Sequence, residues 1–354
     1  MSSMTSEARL GDRSLSILSF NGYAAEWDSF VATADDSTFC HLAGWREIMA
    51  DVLGHEVLYA VARDDDGACS GVLPLVRVRS RLFGHYLVSM PFLNYGGPLG
   101  SPDAQTALAE HAVEEACRTG ADLLELRARH SVPSDLHVSS RKITVLVELR
   151  ESQEEMWKDR FSGKLRSQIR RPMKEGMEAR FGLEQWEAFY EVFARHMRDL
   201  GTPVLPRSLF KRVSRLFADS VVFGAVYKDR EPVAGGCGFV WRDEFEMTWA
   251  SALREYKRSA PNMLLYWSFI QRMIERGVRV FNFGRCTPGG GTHRFKRQWG
   301  GIDVPLQWLQ WSSRGAAATP TPDRPIYQLA ALAWRRIPRP VADRLGPVLA
   351  RCLP

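Results

Sequence analysis

The sequence predicts an α/β protein that consists of two similar units and a helical tail. At 354 residues the chain is too long for one ordinary hydrophobic core. The order hairpin, strand, loop, helix, glycine, strand occurs twice, over residues 57–128 and 221–283. The second copy runs into a glycine loop with cations on both sides, residues 281–301. These observations favour two copies of one α/β unit over a single long domain.

The predicted division follows from the repeat and from composition. Residues 1–150 form the N-terminal domain and residues 151–311 the C-terminal domain. Residues 312–354 form a linker and a tail, because SSRGAAATPTPDRP is rich in Pro, Ser and Gly and is followed by apolar residues at helical spacing.

In the first half, periodicity and turn residues predict nine elements. Leu42, Trp45 and Ile48 repeat at helical spacing, the DDDG turn separates two strands, and Gly120 ends a helix. The elements are a strand over 14–20, helices over 24–33 and 41–53, strands over 57–63, 68–78 and 85–93, a helix over 103–119, and strands over 121–128 and 141–149, the last of which closes this half.

The second half is predicted by the same signals. Gly277 ends a helix and an apolar strand follows it, as Gly120 does in the first half. The elements are a helical segment over 152–175 that breaks near Pro172, helices over 184–200 and 207–218, strands over 221–227, 233–241 and 244–253, a helix over 262–276 and a strand over 278–283.

The tail, residues 326–350, reads as two short amphipathic helices with arginines beside an apolar face. Packing of these helices on the body of the protein is the favoured interpretation. The alternative is a peripheral contact with a membrane surface.

Composition excludes several classes of protein. The six cysteines are scattered without a C-x-x-C pair, which argues against a disulfide framework and a zinc site and for a reducing compartment. The eight histidines have no metal-ligand spacing, and we expect no metal. The N-terminus lacks the apolar core of a signal peptide, and no apolar run suits a membrane span. P-loop, nucleophile-elbow and dinucleotide motifs are absent, so nucleotide hydrolysis, serine hydrolysis and hydride transfer lack support.

The strongest candidate site is FNFGRCTPGGGTHRFKRQWGG, residues 281–301. A strand ends at Gly284, a bare glycine loop follows, and Thr292 is placed to cap a short helix with Phe295 and Trp299 on one face. Such a loop exposes backbone N–H groups to an anionic or developing-anionic ligand. The glycines alone would favour a tight turn with a solvated basic rim. Together with two aromatic residues and four cations they favour a site.

A second candidate is the basic stretch KLRSQIRRPMK, in which Arg166, Arg170 and Lys174 share one helical face and Lys164 lies close by. Residues 158–180 hold eight lysines or arginines and only three acids. A phosphate or pyrophosphate is the simplest partner for such a face, and a solvated basic surface is the alternative. Elsewhere, Glu246 could serve as a general base, although an exposed strand face is the favoured interpretation.

The C-terminal half then resembles a known family. The stretch REYKRSAPNMLLYWSFIQRMIERGVRVFNFGRCTPGGGTHRFKRQWG is similar to the core of FemAB-type proteins, in particular to the branch associated with exosortase (PEP-CTERM) and exopolysaccharide loci. The stretches MPFLNYGGPLG, KLRSQIRRPMKEG, RDLGTPVLP and the tail resemble the same branch. The resemblance implies two tandem GNAT-like domains, each a mixed sheet flanked by helices.

The resemblance also implies roles for individual residues. A lysine after a phenylalanine stabilises charge at the reacting centre in this family, and Phe295 and Lys296 fall on that pair. The predicted catalytic residues are Lys296, Arg285 and Tyr256. The predicted substrate-binding residues come from the motifs that carry the resemblance: Asn94, Tyr95, Gly96, Lys164, Arg166, Arg170, Lys174, Asn262, Tyr266, Gly290, His293, Phe295 and Trp299.

We therefore expect an N-acyltransferase that joins an activated acyl or aminoacyl group to an amine of a peptidoglycan-type or polysaccharide precursor of the cell envelope. Residues 256–262 replace the R/Q-x-x-G-x-G/A loop with which GNAT enzymes hold acetyl-CoA, and the coiled-coil insertion that some FemAB members use for tRNA is absent. The donor therefore stays open between acyl-CoA and aminoacyl-tRNA, used as a co-substrate with no permanently bound cofactor. The amides at the start of helix 262–276 are an alternative to Lys296 for holding the oxyanion.

The expected partners are a phosphorylated envelope precursor and a tRNA-borne donor, with no DNA. The expected location is the cytoplasm or the inner face of the membrane. The alternative function is a non-catalytic module that binds a phosphorylated glycolipid or a partner in exopolysaccharide assembly. An RNA-binding protein is disfavoured because the charge is localised and no RNA-binding signature is present.

Overall fold

The computed structural model describes residues 6–9, 14–80, 83–315 and 325–353. The chain divides into two compact units. The first contains Met1–Arg141, Leu306–Pro320 and Arg351–Pro354, and the second contains Lys142–Pro305 and Thr321–Ala350.

The described chain contains both helices and strands. The strands are β1 (Ser6–Arg9), β2 (Ser14–Ser19), β3 (Glu56–Val57), β4 (Ala60–Arg63), β5 (Cys69–Leu73), β6 (Val76–Ser80), β7 (Gly84–Val88), β8 (Leu99–Gly100), β9 (Leu123–Ala128), β10 (His137–Ser139), β11 (Ile143–Glu148), β12 (Met177–Phe181), β13 (Val221–Lys228), β14 (Glu231–Trp241), β15 (Glu244–Ala252), β16 (Val280–Cys286), β17 (Ile302–Pro305) and β18 (Gln307–Ser312). The helices are α1 (Ala24–Thr33), α2 (Gly44–Glu47), α3 (Pro102–Thr119), α4 (Gln153–Glu155), α5 (Gly163–Lys174), α6 (Trp186–Leu200), α7 (Arg207–Leu216), α8 (Pro261–Glu275), α9 (Gly291–Arg297), α10 (Pro325–Arg336) and α11 (Arg339–Ala350).

The first unit contains two sheets. One has the order β1-β2-β4-β5-β8 and the other β10-β18-β9-β7-β6-β3, with β7 and β9 parallel. Helix α3 packs on the strands through a buried face made mostly of alanines, among them Ala104 and Ala112, together with Leu108. Ser101 caps this helix by accepting from the Ala104 amide, and Gly120 ends it with φ +66°.

The second unit contains one seven-stranded sheet with the order β12-β13-β14-β15-β16-β11-β17. All neighbours are antiparallel except β15 and β16. Helix α8 carries buried residues almost all round, because one side meets the sheet and another side meets α5. Phe245, Phe269 and Phe281 lie in the centre of this core.

The two units share one strand order. In the first unit the sequence β2-β4-β5, then β6-β7-β9-β18-β10, corresponds step by step to β12-β13-β14-β15-β16-β11-β17 if β5 and β6 together replace the long strand β14. The strand is interrupted between β5 and β6 at Leu73-Pro74-Leu75, because a proline cannot donate a hydrogen bond to a neighbouring strand. The α/β class with mixed sheets flanked by helices, predicted from the sequence, is confirmed.

Four local predictions are wrong. The strand predicted over 85–93 ends at Val88, after which Met90 and Phe92 adopt positive φ in a buried loop. The segment predicted to break near Pro172 instead breaks at Phe161-Ser162, where Ser162 caps α5 and accepts from the Leu165 amide. The other two errors concern 57–63 and 68–78, each of which forms two short strands.

The strand predicted to close the first half is also differently placed. β11 lies between β16 and β17 in the sheet of the second unit, and its residues Ile143, Val145 and Val147 are buried in that core. Conversely, β18 lies between β9 and β10 in the first unit. Within the described ranges, no helix is both long enough and apolar enough to cross a membrane.

Candidate functional site

The most distinctive feature of the second unit is the place where its two parallel strands part. β15 and β16 pair only through Glu244 with Val280, Phe245 with Phe281, and Glu246 with Asn282. Beyond these residues β15 continues along β14, and β16 continues along β11. The carboxyl ends of two parallel strands that separate are a common location for a ligand site in open α/β sheets.

Asn282 holds the last turn of β16 in place. Its Oδ1 accepts from the Thr144 hydroxyl at 2.5 Å and from the Gly284 amide at 2.8 Å, and its Nδ2 donates to Glu244 at 2.8 Å. The turn needs a left-handed residue, and Gly284 supplies φ +68° without a steric cost. Asn282 therefore fixes the direction of the Gly284 carbonyl.

That carbonyl anchors Lys296. The Lys296 Nζ donates to the Gly284 oxygen at 2.6 Å and to the Arg285 oxygen at 2.9 Å, and only 4% of the residue surface is exposed. An ammonium group has three N–H donors. Two of them are used by these carbonyls, so the third can point to a ligand.

The environment of Lys296 weakens its hold on the proton. The pKa of Lys296 is lowered to about 8, chiefly by burial; Cys286 and Glu246 act in the opposite direction, and the nearby Arg285 adds to the lowering. Near neutral pH the group is therefore charged, and slightly above pH 8 it becomes neutral. Such a lysine can either stabilise developing negative charge or take up a proton.

Glu246 lies at the same end of the sheet and was misjudged from the sequence. The favoured interpretation of an exposed strand face is wrong, because only 2% of Glu246 is exposed. Its Oε1 accepts from the Thr248 hydroxyl at 3.3 Å, and its charge favours the protonated form of Lys296. A buried carboxylate is costly unless charged or polar groups compensate for it.

The glycine loop is pinned by His293. The Gly289 amide donates to Nδ1 of His293 at 3.0 Å, and Nε2 lies 3.0 Å from both carboxylate oxygens of Asp303. Both ring nitrogens are therefore engaged, which gives this predicted substrate-binding residue a structural task. Gly290, and not Thr292 as predicted, occupies the N-cap position of α9, and it provides no side chain there.

An aromatic cluster packs in the core of the second unit and includes Phe295, the residue before Lys296. Tyr266 stacks on Phe283 with 5.3 Å between the ring centroids and meets Phe295 edge-on at 5.0 Å. Trp299 contacts both Phe283 and Phe295, as its i, i+4 spacing from Phe295 predicts. The buried indole Nε1 of Trp299 has no hydrogen-bond partner within the described part of the chain. Burial raises the pKa of the Tyr266 hydroxyl well above its usual range.

The basic helix α5 divides into anchored and free cations. The Arg166 guanidinium donates to the carbonyl oxygens of Trp157 at 3.2 Å and Lys158 at 3.4 Å. Arg170 is exposed, and its guanidinium lies over the Trp157 ring, 5.2 Å from the ring centroid. Lys164 and Lys174 are exposed. Arg166 therefore ties the preceding turn to the helix, while the other three present charge at the surface.

The loop before α8 lacks the features of a phosphate-binding loop. Pro261 begins the helix without an N–H group, and Ala260 adopts φ +55° where a glycine would be unstrained. The Met263 amide donates to the Ala260 carbonyl at 2.9 Å. Few backbone amides of this turn are consequently left for a pyrophosphate, and Asn262, partly buried, carries a side-chain amide at the second position of the helix.

Tyr256, predicted to be catalytic, belongs to a surface network. Its hydroxyl donates to Glu231 at 3.0 Å, which raises the pKa of Tyr256, and Arg195 bridges Glu231 and Glu255. Arg285, the other predicted catalytic residue, is partly buried next to Lys296 and acts on its pKa. Among the described contacts none joins Tyr256 to Lys296, so its catalytic role stays a prediction.

The predicted residues of the first unit lie in a buried loop. The Asn94 carbonyl accepts from the Trp308 indole at 3.2 Å, and Tyr95 is buried with Arg129 over its ring. Gly96 has φ +126°, and a Cβ atom there would lie 2.7 Å from the Met90 side chain. The side chains of this loop contribute to packing, and a role in substrate binding stays a prediction.

A buried ion pair supports that loop from below. Arg127 pairs with Glu125 at 2.9 Å and donates to the carbonyl oxygens of Met90 at 3.1 Å and Leu93 at 2.8 Å. Gln310 donates to the second oxygen of Glu125 at 2.8 Å. Fully satisfied polar networks of this kind rigidify a core.

Sequence reasoning missed Asn282, Thr144 and the burial of Glu246. The signal for Asn282 was present, since a polar residue interrupts the aromatic run FNF at the end of a strand. Thr144 could not be paired with it, because 138 residues separate the two and their contact depends on the placement of β11.

Comparison with known proteins places the second unit. Residues 161–297 match the family described as Acetyltransferase (GNAT) domain. The fold is GNAT-like. The matched segment begins just before α5 and ends with the last residue of α9, so it contains the separating strands and Lys296. Among curated proteins, none matches the sequence.

Solved structures extend the similarity to most of the chain. FemX has a TM-score of 0.62 at 14% identity, and the match covers 88% of this chain and 99% of that one. The C-terminal domain (DUF2156) of a putative lysylphosphatidylglycerol synthetase from Agrobacterium fabrum has a TM-score of 0.55 at 14% identity, with 88% and 94% covered. L-PGS from Bacillus licheniformis has a TM-score of 0.53 at 12% identity, with 88% and 96% covered. At these identities the comparison establishes a shared fold across two GNAT-like domains. Among the described residues, no cluster of His, Cys, Asp or Glu could hold a metal ion.

Proposed function

We propose that the second unit catalyses amide formation between an activated acyl or aminoacyl group and an amine of a phosphorylated cell-envelope precursor. The single observation that carries this proposal is Lys296, a buried lysine held on two backbone carbonyls where two parallel strands separate. The match of this segment to a family of acyltransferase domains supports it.

The chemistry requires one well-placed positive charge. The amine nitrogen bonds to the carbonyl carbon of an ester or thioester, and a tetrahedral intermediate with an oxyanion forms. The C–O or C–S bond then breaks, the nitrogen loses its extra proton, and the leaving oxygen or sulfur becomes protonated. Lys296 in its ammonium form would donate its third N–H to the oxyanion. One such donor typically lowers the activation free energy by about 3 kcal/mol.

Helix α5 would hold the phosphorylated end of the acceptor. Lys164, Arg170 and Lys174 are exposed cations on a helix that packs against α8, and α8 carries Tyr266 of the aromatic cluster. Charge-assisted contacts to phosphate oxygens suit these side chains. The acceptor would then be met in the cytoplasm or at the inner face of the membrane. Its assignment to peptidoglycan or to exopolysaccharide assembly rests on the sequence resemblance.

The donor remains a choice of two. An acyl-CoA would need amide donors for its pyrophosphate, and the turn at Ala260-Pro261 offers few. This favours an aminoacyl ester carried by tRNA, which needs no such cradle. FemX and L-PGS share the fold with this chain, but at 14% and 12% identity they do not decide between the two donors.

The test is turnover with defined donors. The purified full chain is incubated with either acyl-CoA or charged tRNA and with an amino-bearing UDP-linked precursor, and the amide is detected by mass spectrometry. Lys296→Met is expected to lower kcat about a hundredfold or more. Lys158→Met is the matched control, since this exposed lysine forms an ion pair with the exposed Glu154 four residues before it.

If no donor gives product with the wild type, the binding-module alternative gains support. If Lys296→Met turns over like the wild type, Lys296 is not the oxyanion donor, and the amides near Asn262 become the candidate.

A further inference from the structure

The two tail helices pack on the second unit through one face each. α10 and α11 both contact α6. Trp334 of α10 and Ala342, Gly346 and Ala350 of α11 are buried. Gly346 lies so close to Val204 that a Cβ atom would be 3.0 Å from its side chain.

Backbone contacts fix these helices further. Arg198 of α6 donates to the Ile337 carbonyl at 3.0 Å, and Arg335 of α10 donates to the Leu200 carbonyl at 3.1 Å. The favoured expectation, packing of the tail on the body, therefore describes one face of each helix.

The opposite faces are apolar and open. Leu329 and Leu332 of α10 are 67% and 47% exposed, and Val341, Leu345 and Val348 of α11 are 44%, 46% and 51% exposed. Their spacings, three residues in α10 and four and three in α11, put each set on one side of its helix. Five of the twelve large apolar residues that are exposed in the described chain lie on this pair of helices, so the exposure is concentrated there.

Cations flank the apolar residues. Arg336 lies four residues after Leu332, and Arg344 lies next to Leu345; both are exposed. Arg335 and Arg339 are engaged with the body, since Arg335 donates to the Leu200 carbonyl and Arg339 pairs with Glu191 at 3.9 Å, so Arg336 and Arg344 carry the charge beside the open face. Asp343 is the one acid in residues 329–353, and it lies 3.5 Å from Arg339. The open face is therefore apolar with a positively charged rim.

An apolar face with flanking arginines fits some binding partners better than others. A second copy of the chain would bring arginine rims of equal sign together, which costs energy when they are desolvated. An anionic bilayer surface suits both the apolar side chains and the arginines, because the apolar side chains insert among the acyl chains and the arginines contact headgroup phosphates.

We infer that α10 and α11 form a reversible binding surface for an anionic phospholipid bilayer, with Leu329, Leu332, Val341, Leu345 and Val348 inserted at the interface. The inference is independent of catalysis by the second unit, since none of these residues belongs to the Lys296 site.

The experiment is sedimentation of the full chain with vesicles of phosphatidylcholine alone or mixed with phosphatidylglycerol. The wild type is expected to sediment with the mixed vesicles, and increasing salt should weaken this binding. Leu332→Glu with Leu345→Glu should lower the bound fraction at least tenfold, and Arg336→Glu with Arg344→Glu should remove the preference for anionic lipid.

Matched controls are Leu183→Glu with Leu216→Glu, which change exposed apolar residues outside the tail and should bind like the wild type. Melting temperatures check that every variant folds. Equal binding of the wild type to both vesicle types would overturn the inference, as would tail variants that bind normally. A dimer in analytical ultracentrifugation that the tail variants abolish, without vesicle binding, would identify a second copy as the occupant.

Discussion

At the scale of single residues, Lys296 shows how position gives a common side chain an uncommon property. The sequence identified it by its neighbours and by resemblance, yet its burial and its two carbonyl partners come from the turn at Gly284, which depends on Asn282. A lysine that is exposed would keep its usual pKa and lose its proton far above physiological pH. Burial brings the transition of Lys296 close to pH 8.

The pH dependence of kcat should reveal whether the charged or the neutral form of Lys296 acts in catalysis. If the ammonium stabilises the oxyanion, kcat should fall about tenfold per pH unit above about 8, because the charged fraction falls at that rate above the pKa. Lys296→Arg should turn over more slowly but keep its rate to higher pH, since arginine stays charged. A rate that rises through pH 8 and levels off would instead identify the neutral amine as a base.

The same pKa makes a prediction about stability. The folded-state pKa of about 8 lies below the unfolded value of 10.5, so the unfolded chain binds more protons between these pH values. The free energy of unfolding should therefore rise with pH across this window, by about 3 kcal/mol relative to Lys296→Met, and the burial penalty is fully present below pH 8. Urea unfolding of both proteins at several pH values measures the difference. Parallel curves would show that Lys296 titrates normally.

At the scale of elements, periodicity located nearly every helix, whereas irregular backbone escaped it. The shared helical face of Arg166, Arg170 and Lys174 indicated α5. The structure places the break at Phe161-Ser162 and not near Pro172, because Ser162 caps α5 and Pro172 fits into the last turns of the helix. Strand β7 likewise stops at Val88 although apolar residues continue, because Met90 and Phe92 take left-handed conformations that a buried ion pair sustains. Such features depend on partners that are distant in sequence.

The division of labour within α5 can be tested by charge reversal. Arg170→Glu should weaken binding of a UDP-linked precursor, and more strongly at low salt than at high salt, because Arg170 presents its charge at the surface. Arg166→Glu should instead lower the melting temperature, since it would remove the donors to the Trp157 and Lys158 carbonyls. Calorimetric titration and thermal melts separate the two effects. Identical behaviour of both variants would contradict the assignment.

At the scale of the whole molecule, the repeat was visible in the sequence because two glycine-ended helices stand before two apolar strands. The sequence did not show which sheet the strands at the boundary join, since β11 and β18 each suit either half. Pairing decided it: β11 belongs to the second sheet and β18 to the first.

This placement predicts how the chain can be divided. A fragment over 142–350 should fold better than one over 151–350, because the shorter fragment lacks β11, the strand between β16 and β17. Its loss would leave Asn282 without the Thr144 hydroxyl and would open the core around Phe281. Circular dichroism and denaturant unfolding compare the two. Equal stability would show that β11 is dispensable.

The interleaved strands also set the order of events on the ribosome. Domains generally fold in the order of their synthesis, the N-terminal one first. Here the first sheet waits for Gln307–Ser312, whereas the last strand of the second sheet, Ile302–Pro305, has already been made. The N-terminal unit therefore stays incomplete while all strands of its successor emerge, and nascent chains arrested before residue 307 would expose the unfilled edge of β9 to chaperones.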